Sequence, residues 1–311
     1  MVLKNPARDH VTIVEVGPRD GLQNEKKSIS LEDKVEFILS LVNSGCKKIE
    51  VGSFVKGDKI PQMQNSDEVF KKLFKQLKDT SDLHLMALVP NLKGLERAKE
   101  CGVTEIAIFT SISETFNKKN IDSTIDESLE KLRLVAKEAQ NIDMQIRGYV
   151  STAFGCPYEG QVSLDLLKRV TNRLFDFGVY EISFGDTIGV ATPNLVAKTI
   201  EELSQHFDLP QLAMHFHDTY GMAVANVSEA IRAGIRTFDS SAGGLGGCPY
   251  AVGASGNLAT EDLIYLCRGM GLETHLNLEE IVSASAKIMG QLGRQSNSKT
   301  HQAIWGKICK K

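Results

Sequence analysis

Short apolar runs alternate with stretches of helical period along most of the 311-residue chain. VTIVEV at 11–16 reads as a strand, and SLEDKVEFILSLVNSG after it has apolar residues every three to four positions, the helical spacing. Ser30 suits an N-cap, Asp33 stands three residues on, and Gly45 supplies the stop. Further strands are expected at KKIEV (47–51), LHLMALV (83–89), TEIAIFT (104–110), MQIRGYV, YEISF (180–184), QLAMHFH (211–217) and IRTFDSS. Each of the eight candidates is followed by a helix-period segment, including those around Asp67–Lys78, Thr124–Gln140 and Ala223–Ala233.

A weak repeat sharpens this pattern. In SGCKKIEV, CGVTEIAI, FGVYEISF and AGIRTFDS a helix ends in glycine, the usual left-handed stop, and a strand begins at once. These lead into strands two, four, six and eight. Five residues past each glycine stand Glu50, Ala107, Ser183 and Asp239, the set that alternate strands of a closed barrel place in one layer. Near-continuous apolar strands separated by helices favour an all-parallel sheet. The expected fold is therefore α/β, a (β/α)8 TIM barrel, with an open doubly wound sheet as the alternative. Beyond Leu276 the strand pattern stops. NLEEIVSASAKIMGQLGRQ reads as an added helix followed by a polar tail, which divides the chain into a barrel (1–275) and a C-terminal helical extension (276–311).

Composition narrows the class. With 42% apolar residues the chain can bury a large core, and a net charge of −3 with a pI near 6.2 offers no basic field for nucleic acid or an anionic membrane. No apolar run approaches the eighteen or so residues of a membrane span. The first residues, MVLKNPARDHVTIVEV, hold no apolar signal core, so a cytoplasmic location is expected. Six scattered cysteines without metal-finger spacing suit reduced thiols, with Cys46, Cys101 and Cys267 expected in packing roles.

In a parallel barrel, chemistry collects where the strands end. Strand one runs into GPRDGLQNE, which places Arg19, Asp20 and Gln23 on that face. Strand two carries Glu50 and ends at Ser53, strand five brings Tyr149, and strand six ends in Asp186 and Thr187. Strand seven ends in MHFHD. His215 and His217 are two apart, so both imidazoles face one side of the strand. Two convergent imidazoles with a carboxylate nearby make a divalent-metal site, with Asp20 as the carboxylate and Asn257 as a further oxygen ligand. Two nitrogens, two oxygens and open positions suit Mg²⁺ or Mn²⁺ better than zinc, since no thiolate joins the set. Arg19 is expected to stabilise an oxyanion or bind a carboxylate, or to form an ion pair with Glu50 or Asp186. Asp186 is an active-site acid or a residue that orients Arg19 or a histidine. Lys118 and Lys119 in FNKKN read as a solvated turn. The stretch 243–262 holds six glycines around the single Cys248, a setting for a reactive thiol on a loop that lets backbone approach a ligand.

Together these residues resemble the 3-hydroxy-3-methylglutaryl-CoA lyase family. The resemblance rests on VGPRDGLQNEK (16–26), FNKKN (116–120), RGYVSTAFGCPYEG (147–160), YEISFGDTIGVATP (180–193), HFHDTYG (215–221) and GLGGCPYAVGASGNLATED (244–262). The Arg-Asp and His-x-His pattern is shared with isopropylmalate and homocitrate synthases, whereas the cysteine loop is more specific to the lyases. The resemblance implies metal-dependent cleavage of 3-hydroxy-3-methylglutaryl-CoA to acetyl-CoA and acetoacetate, as in leucine and ketone-body metabolism. It also implies an acyl-CoA substrate and a homodimer. Asp20, His215, His217 and Asn257 would hold the cation, Arg19 would stabilise the enolate-like oxygen, and Cys248 would protonate the departing carbanion. Glu50, Asp186 and Glu261 are similar to family active-site acids. Gln23, Ser53, Tyr149 and Thr187 would line the substrate site. EVGSF replaces a threonine pair common in relatives, and Cys309 stands near the place of a terminal dimer-linking cysteine. A lyase for a longer branched 3-hydroxyglutaryl-CoA and an acetyl-CoA/2-oxo acid synthase are the rival readings.

Overall fold

The computed structural model describes residues 10–55, 60–77, 81–247 and 256–308. Eight strands, β1 (Thr12–Glu15), β2 (Lys48–Ser53), β3 (His84–Leu88), β4 (Glu105–Ser111), β5 (Gln145–Ser151), β6 (Glu181–Asp186), β7 (Leu212–Phe216) and β8 (Thr237–Ser240), follow one another around a closed barrel. Every pairing is parallel, and Thr12 to Glu15 align with Thr237 to Ser240 to seal the seam. This is the expected (β/α)8 TIM barrel.

The connecting helices are α1 (Leu31–Asn43), α2 (Ser66–Gln76), α3 (Leu92–Glu100), α4 (Glu114–Ile121), α5 (Ile125–Gln140), α6 (Leu164–Asp176), α7 (Pro193–Ser204), α8 (Ala223–Arg232) and α9 (Thr260–Gly269). Their starts follow local chemistry. Ser30 Oγ accepts the Asp33 N–H at 3.0 Å, as its spacing predicts, and Thr124 with Glu127 forms a reciprocal capping box before α5. The helices lay one apolar face on the outside of the barrel, and a continuous core of Val, Ile, Leu and Phe fills that layer.

Two expectations change. FNKKN is not a turn: Lys118 and Lys119 lie in α4, capped by the Ser113 hydroxyl, and Lys119 Nζ sits 4.0 Å over the Tyr158 ring. Both lysines are exposed, and the Lys119 cation rests on an aromatic face at the surface. The segment after α10 (Leu278–Leu292) is also more than a polar tail, because Lys299–Ile308 forms α11. α10 packs between α1 and α9, and Ile281, Val282 and Ile288 belong to the same core as the barrel helices. His301 gives α11 a buried anchor that apolar periodicity could not reveal.

Inside the barrel the side chains change from charged to apolar and back to polar along the axis. Near the strand starts, Glu105 holds His84 Nδ1 at 2.7 Å and accepts the Tyr180 hydroxyl at 2.5 Å. Arg147, fully buried, spans from Glu181 (2.7 Å) to Asp239 (2.8 Å). Leu88, Ala107 and Tyr149 pack together, as do Val14, Val16 and Met86. The predicted layer is realised in part: Ser183 Oγ donates to Asp239 at 2.7 Å across the interior.

Candidate active site

The polar groups at the strand ends are assembled by three segments. After β1 the chain makes one wide helical turn, with the Gly21 N–H donating to Val16 O at 3.1 Å, and this sets Arg19 and Asp20 side by side over the barrel mouth. His217 follows β7 directly and pairs with Asn257 in an isolated antiparallel bridge. Residues 256–259 then run back beside β7 and β8: Asp218 N–H meets Gly256 O, Leu258 N–H meets Phe216 O, and Ser241 N–H meets Leu258 O. The far end of the glycine-rich loop is thereby laid against the histidines. Gly246 makes the approach possible, because a Cβ there would lie 2.7 Å from Asn257 Nδ2, and its φ of +117° suits glycine.

One nitrogen or oxygen from each of Asp20, His215 and His217 falls within 4.8 Å of the others. The two Nε2 atoms face one another at 3.2 Å, and His215 Nε2 is 3.9 Å from Asp20 Oδ2. Asp239 stands behind His215 with Oδ2 at 3.1 Å from Nδ1, a contact that fixes the ring and draws a proton to Nδ1; burial opposes charge on this imidazole, but Asp239 and Asp20 raise its pKa. Burial and the neighbouring His215 push the His217 pKa down to about 4, leaving that ring neutral near pH 7. Burial opposes charge on Asp20, but the guanidinium of Arg19 and both imidazoles hold its carboxyl below the usual range. Asn257 donates to Asp20 Oδ2 (2.9 Å) and to Leu245 O (3.1 Å), while its buried Oδ1 has no hydrogen-bond partner among the described residues. Two imidazole nitrogens, a carboxylate and an unpartnered amide oxygen form a donor set that a hard divalent cation fits.

Arg19 is the fixed positive charge beside this group. Its Nε and Nη2 reach Glu50 Oε2 at 2.7 and 2.6 Å, and Nη1 reaches Asp20 Oδ1 at 2.6 Å. Three of its five N–H donors are thus engaged, and two remain for a ligand. Tyr149 approaches the same carboxylate, its hydroxyl 3.4 Å from Glu50 Oε2. Burial raises the Glu50 pKa, and Arg19 opposes that shift.

The sequence pattern of the HMGL-like family matches residues 10–288. The chain belongs to the HMGL-like family. The hydroxymethylglutaryl-CoA lyase of Pseudomonas mevalonii is 45% identical over 294 residues, 94% of this chain and 96% of that protein. The crystal structure of the hydroxymethylglutaryl-CoA lyase from Pseudomonas aeruginosa superposes with a TM-score of 0.92 at 43% identity, covering 96% of this chain and 98% of the other. An HMG-CoA lyase from Acinetobacter baumannii, solved in complex with coenzyme A and 3-methylmalate, gives 0.91 at 34% identity, covering 96% and 97%.

In this HMGL-like barrel Asp20, His215, His217, Asn257, Arg19, Glu50 and Tyr149 come together. Gln23 joins them, its amide donating to Asp20 Oδ1 at 2.7 Å. Other expected residues take supporting positions. The two oxygens of Asp186 accept the Val190 and Ala191 N–H groups at 2.9 and 3.0 Å and tie down the loop after β6. Thr187 Oγ1 accepts the Thr152 N–H at 2.7 Å, and Ser53 Oγ donates to Leu88 O at 3.3 Å. Glu261 is fully buried under the loop root, bonded to the Gly243 N–H. Cys248 and Cys309 lie outside the described residues. The free cysteines 46, 101, 156 and 267 are all buried.

Sequence reasoning used Asp239 only to set a register and missed its hold on His215. It missed Arg147 and Glu15 as well. Glu15 takes the Gly17 and Ala242 N–H groups at 2.8 and 3.0 Å and the Thr260 hydroxyl at 2.7 Å, joining the start of the Arg-Asp turn to that of the glycine-rich segment. The available signal was a charged residue inside an otherwise apolar strand in each case.

Proposed function

We propose that this chain is a hydroxymethylglutaryl-CoA lyase, cleaving 3-hydroxy-3-methylglutaryl-CoA to acetyl-CoA and acetoacetate. The carrying observation is the convergence of Asp20, His215 and His217 within 4.8 Å beside a buried, doubly anchored Arg19 at the mouth of a barrel of this family. Asp20, His215, His217 and Asn257 hold Mg²⁺ or Mn²⁺. When bound, the cation lowers the pKa of a chelated hydroxyl and orients the bond beside it.

The remaining work falls to side chains of this chain. Glu50 and Asp20 fix the plane of the Arg19 guanidinium, so its two free N–H groups meet the oxygen that gains charge as the carbon–carbon bond breaks. That placement costs no reorganisation during the reaction, because both carboxylates are already in contact. Asp20, or a base acting through water, would take the hydroxyl proton, and Cys248 supplies a proton to the departing carbanion, so the two transfers balance. A thiol with an ordinary pKa near 8.5 stays largely protonated at neutral pH and serves as a general acid. Gln23 and Tyr149 line the approach to Arg19. Asp186, Thr187 and Ser53 shape the strand ends through the backbone contacts they make. The barrel region (1–275) carries the chemistry, and the extension (276–311) buttresses it.

We place the chain in the cytoplasm as a homodimer. The four buried free thiols suit a reducing compartment, and no described helix is long and apolar enough to cross a membrane. The decisive experiment is product analysis after adding 3-hydroxy-3-methylglutaryl-CoA with Mg²⁺. Equimolar acetoacetate and acetyl-CoA are expected, with activity lost on chelation and restored by Mg²⁺ or Mn²⁺. Full turnover in metal-free protein, or release of free CoA from acetyl-CoA and a 2-oxo acid in its place, would overturn the assignment.

A further inference from the structure

α9 and the extension share a buried polar cluster of Glu261, Ser285 and His301, of which Ser285 and His301 have no part in the lyase chemistry. Ser285 on α10 donates its hydroxyl to Glu261 Oε1 at 2.5 Å, and His301 Nδ1 on α11 lies 2.8 Å from the same hydroxyl and 3.4 Å from the carboxylate. Ser285 and Glu261 are fully buried, and His301 is 5% exposed and stacked on Trp305. A serine, a histidine and an acid in contact suggest a nucleophile set. That reading fails, because the hydroxyl proton is committed to the carboxylate and no substrate can reach a fully buried oxygen.

The cluster points instead at one residue, Gly243. Glu261 accepts the Gly243 N–H through both oxygens, at 3.0 and 2.9 Å. The carbonyl of the same residue accepts Ser296 Oγ at 2.9 Å and Asn297 N–H at 3.2 Å, both from the turn between α10 and α11. Gly243 is therefore held at its N–H by Glu261 of α9 and at its carbonyl by the extension, and its φ of +72° is one that glycine adopts readily. Two residues further on, Leu245 O accepts Asn257 Nδ2 at 3.1 Å, the contact that turns Asn257 so that its unpartnered Oδ1 is the free end of the amide.

We propose that Ser285 and His301 are positioning residues for the cation site, acting through Glu261, the Gly243 peptide and Leu245 O on the orientation of Asn257. The proposal rests on the lyase reading of the site, since it assumes that Asn257 Oδ1 is a ligand. It assigns the extension a role in metal affinity across two helices that touch none of Asp20, His215 or His217.

The test is Mn²⁺ binding to the full-length protein, measured calorimetrically with the metal alone, for the parent, S285A, H301A and H301N. Loss of the hydroxyl in S285A is expected to weaken binding about tenfold, the low end for removing an outer partner of a ligand. H301A should weaken it in the same direction. H301N, which sets an amide nitrogen near the place of Nδ1, should return it to within about threefold of the parent. Parental affinity in S285A overturns the proposal, as does H301N binding no better than H301A, because the effect would then be packing against Trp305. If H301A does not fold, S285A decides alone. A parent that binds no Mn²⁺ removes the reading of the site itself, a different result from a parent that binds and variants that match it.

Discussion

Asp239→Asn isolates the contact that fixes the metal-facing imidazole. Asp239 is 1% exposed and uses both oxygens: Oδ1 for Arg147 at 2.8 Å, Oδ2 for Ser183 at 2.7 Å and His215 Nδ1 at 3.1 Å. Asparagine keeps the shape but has one acceptor oxygen. If that oxygen faces Arg147, the new amide donors face Ser183 and His215. The hydroxyl can turn and accept. The imidazole can accept only by moving its proton to Nε2, the atom that faces His217 at 3.2 Å and is needed as a lone pair. If the oxygen faces His215 instead, the buried guanidinium is left with Glu181 alone. Mn²⁺ affinity should thus fall about 10- to 100-fold, which is about 1.4 to 2.7 kcal/mol. Removing one charge of a buried pair should also lower folding stability by about 3 kcal/mol. Both groups are buried, so little of this is screened by solvent. Calorimetric Mn²⁺ titration and urea unfolding of parent and variant measure the two losses. A D239N protein that binds Mn²⁺ as tightly as the parent refutes the tautomer argument, even if its unfolding midpoint falls.

Three further outcomes are expected. Glu50→Gln gives Arg19 one acceptor and one amide donor where it now meets a carboxylate, and mis-aiming the guanidinium should lower kcat by about 100-fold; steady-state kinetics with an unchanged kcat would contradict the role of the pair. Cys248→Ser replaces a thiol with a far weaker acid and should cut turnover by about 10²- to 10⁴-fold while calorimetry finds Mn²⁺ still bound; undiminished turnover would remove Cys248 as the proton donor. Burial raises the Glu15 carboxyl to about 7, against the three hydrogen bonds it accepts. A folded-state pKa above the unfolded one gives stability that is complete below about pH 4.5 and declines as pH rises through 7. Glu15→Gln should flatten the unfolding midpoint between pH 5 and 8, and an unaltered slope would show that another group sets it.

The barrel was legible because each of its strands repeats the same physical demand. A parallel strand buried on both faces must be apolar nearly throughout, and a glycine must end the helix before it; both patterns recur often enough to count eight units. The His215–His217 spacing was legible because a period of two along an extended strand is geometry written in sequence. The roles of Asp186, Thr187 and Ser53 were not legible, because a strand end needs polar side chains for two purposes. One is to face a ligand, and the other is to satisfy the backbone where the ladder stops. Sequence shows the residue type and not the direction it turns. Asp186 took the second purpose, spending both oxygens on Val190 and Ala191.

The residues that sequence passed over share a different property: each carries a charge across the barrel between distant segments. Arg147 on β5 bridges Glu181 on β6 and Asp239 on β8, and Asp239 in turn steadies His215 on β7. Glu15 on β1 binds the N–H of Ala242, next to the Gly243 N–H that the expected site acid Glu261 holds from α9. Buried ions like these are poor sources of net stability, because desolvation offsets much of their attraction. Their effect is on geometry, since an ion without its partners is costly to bury and the arrangement that pairs every charge is favoured over near alternatives. Two of these networks converge on one stretch, 241–245, where Glu15 and Glu261 hold successive N–H groups from opposite sides. The glycine-rich segment therefore leaves the barrel from a fixed point and returns to another at Asn257.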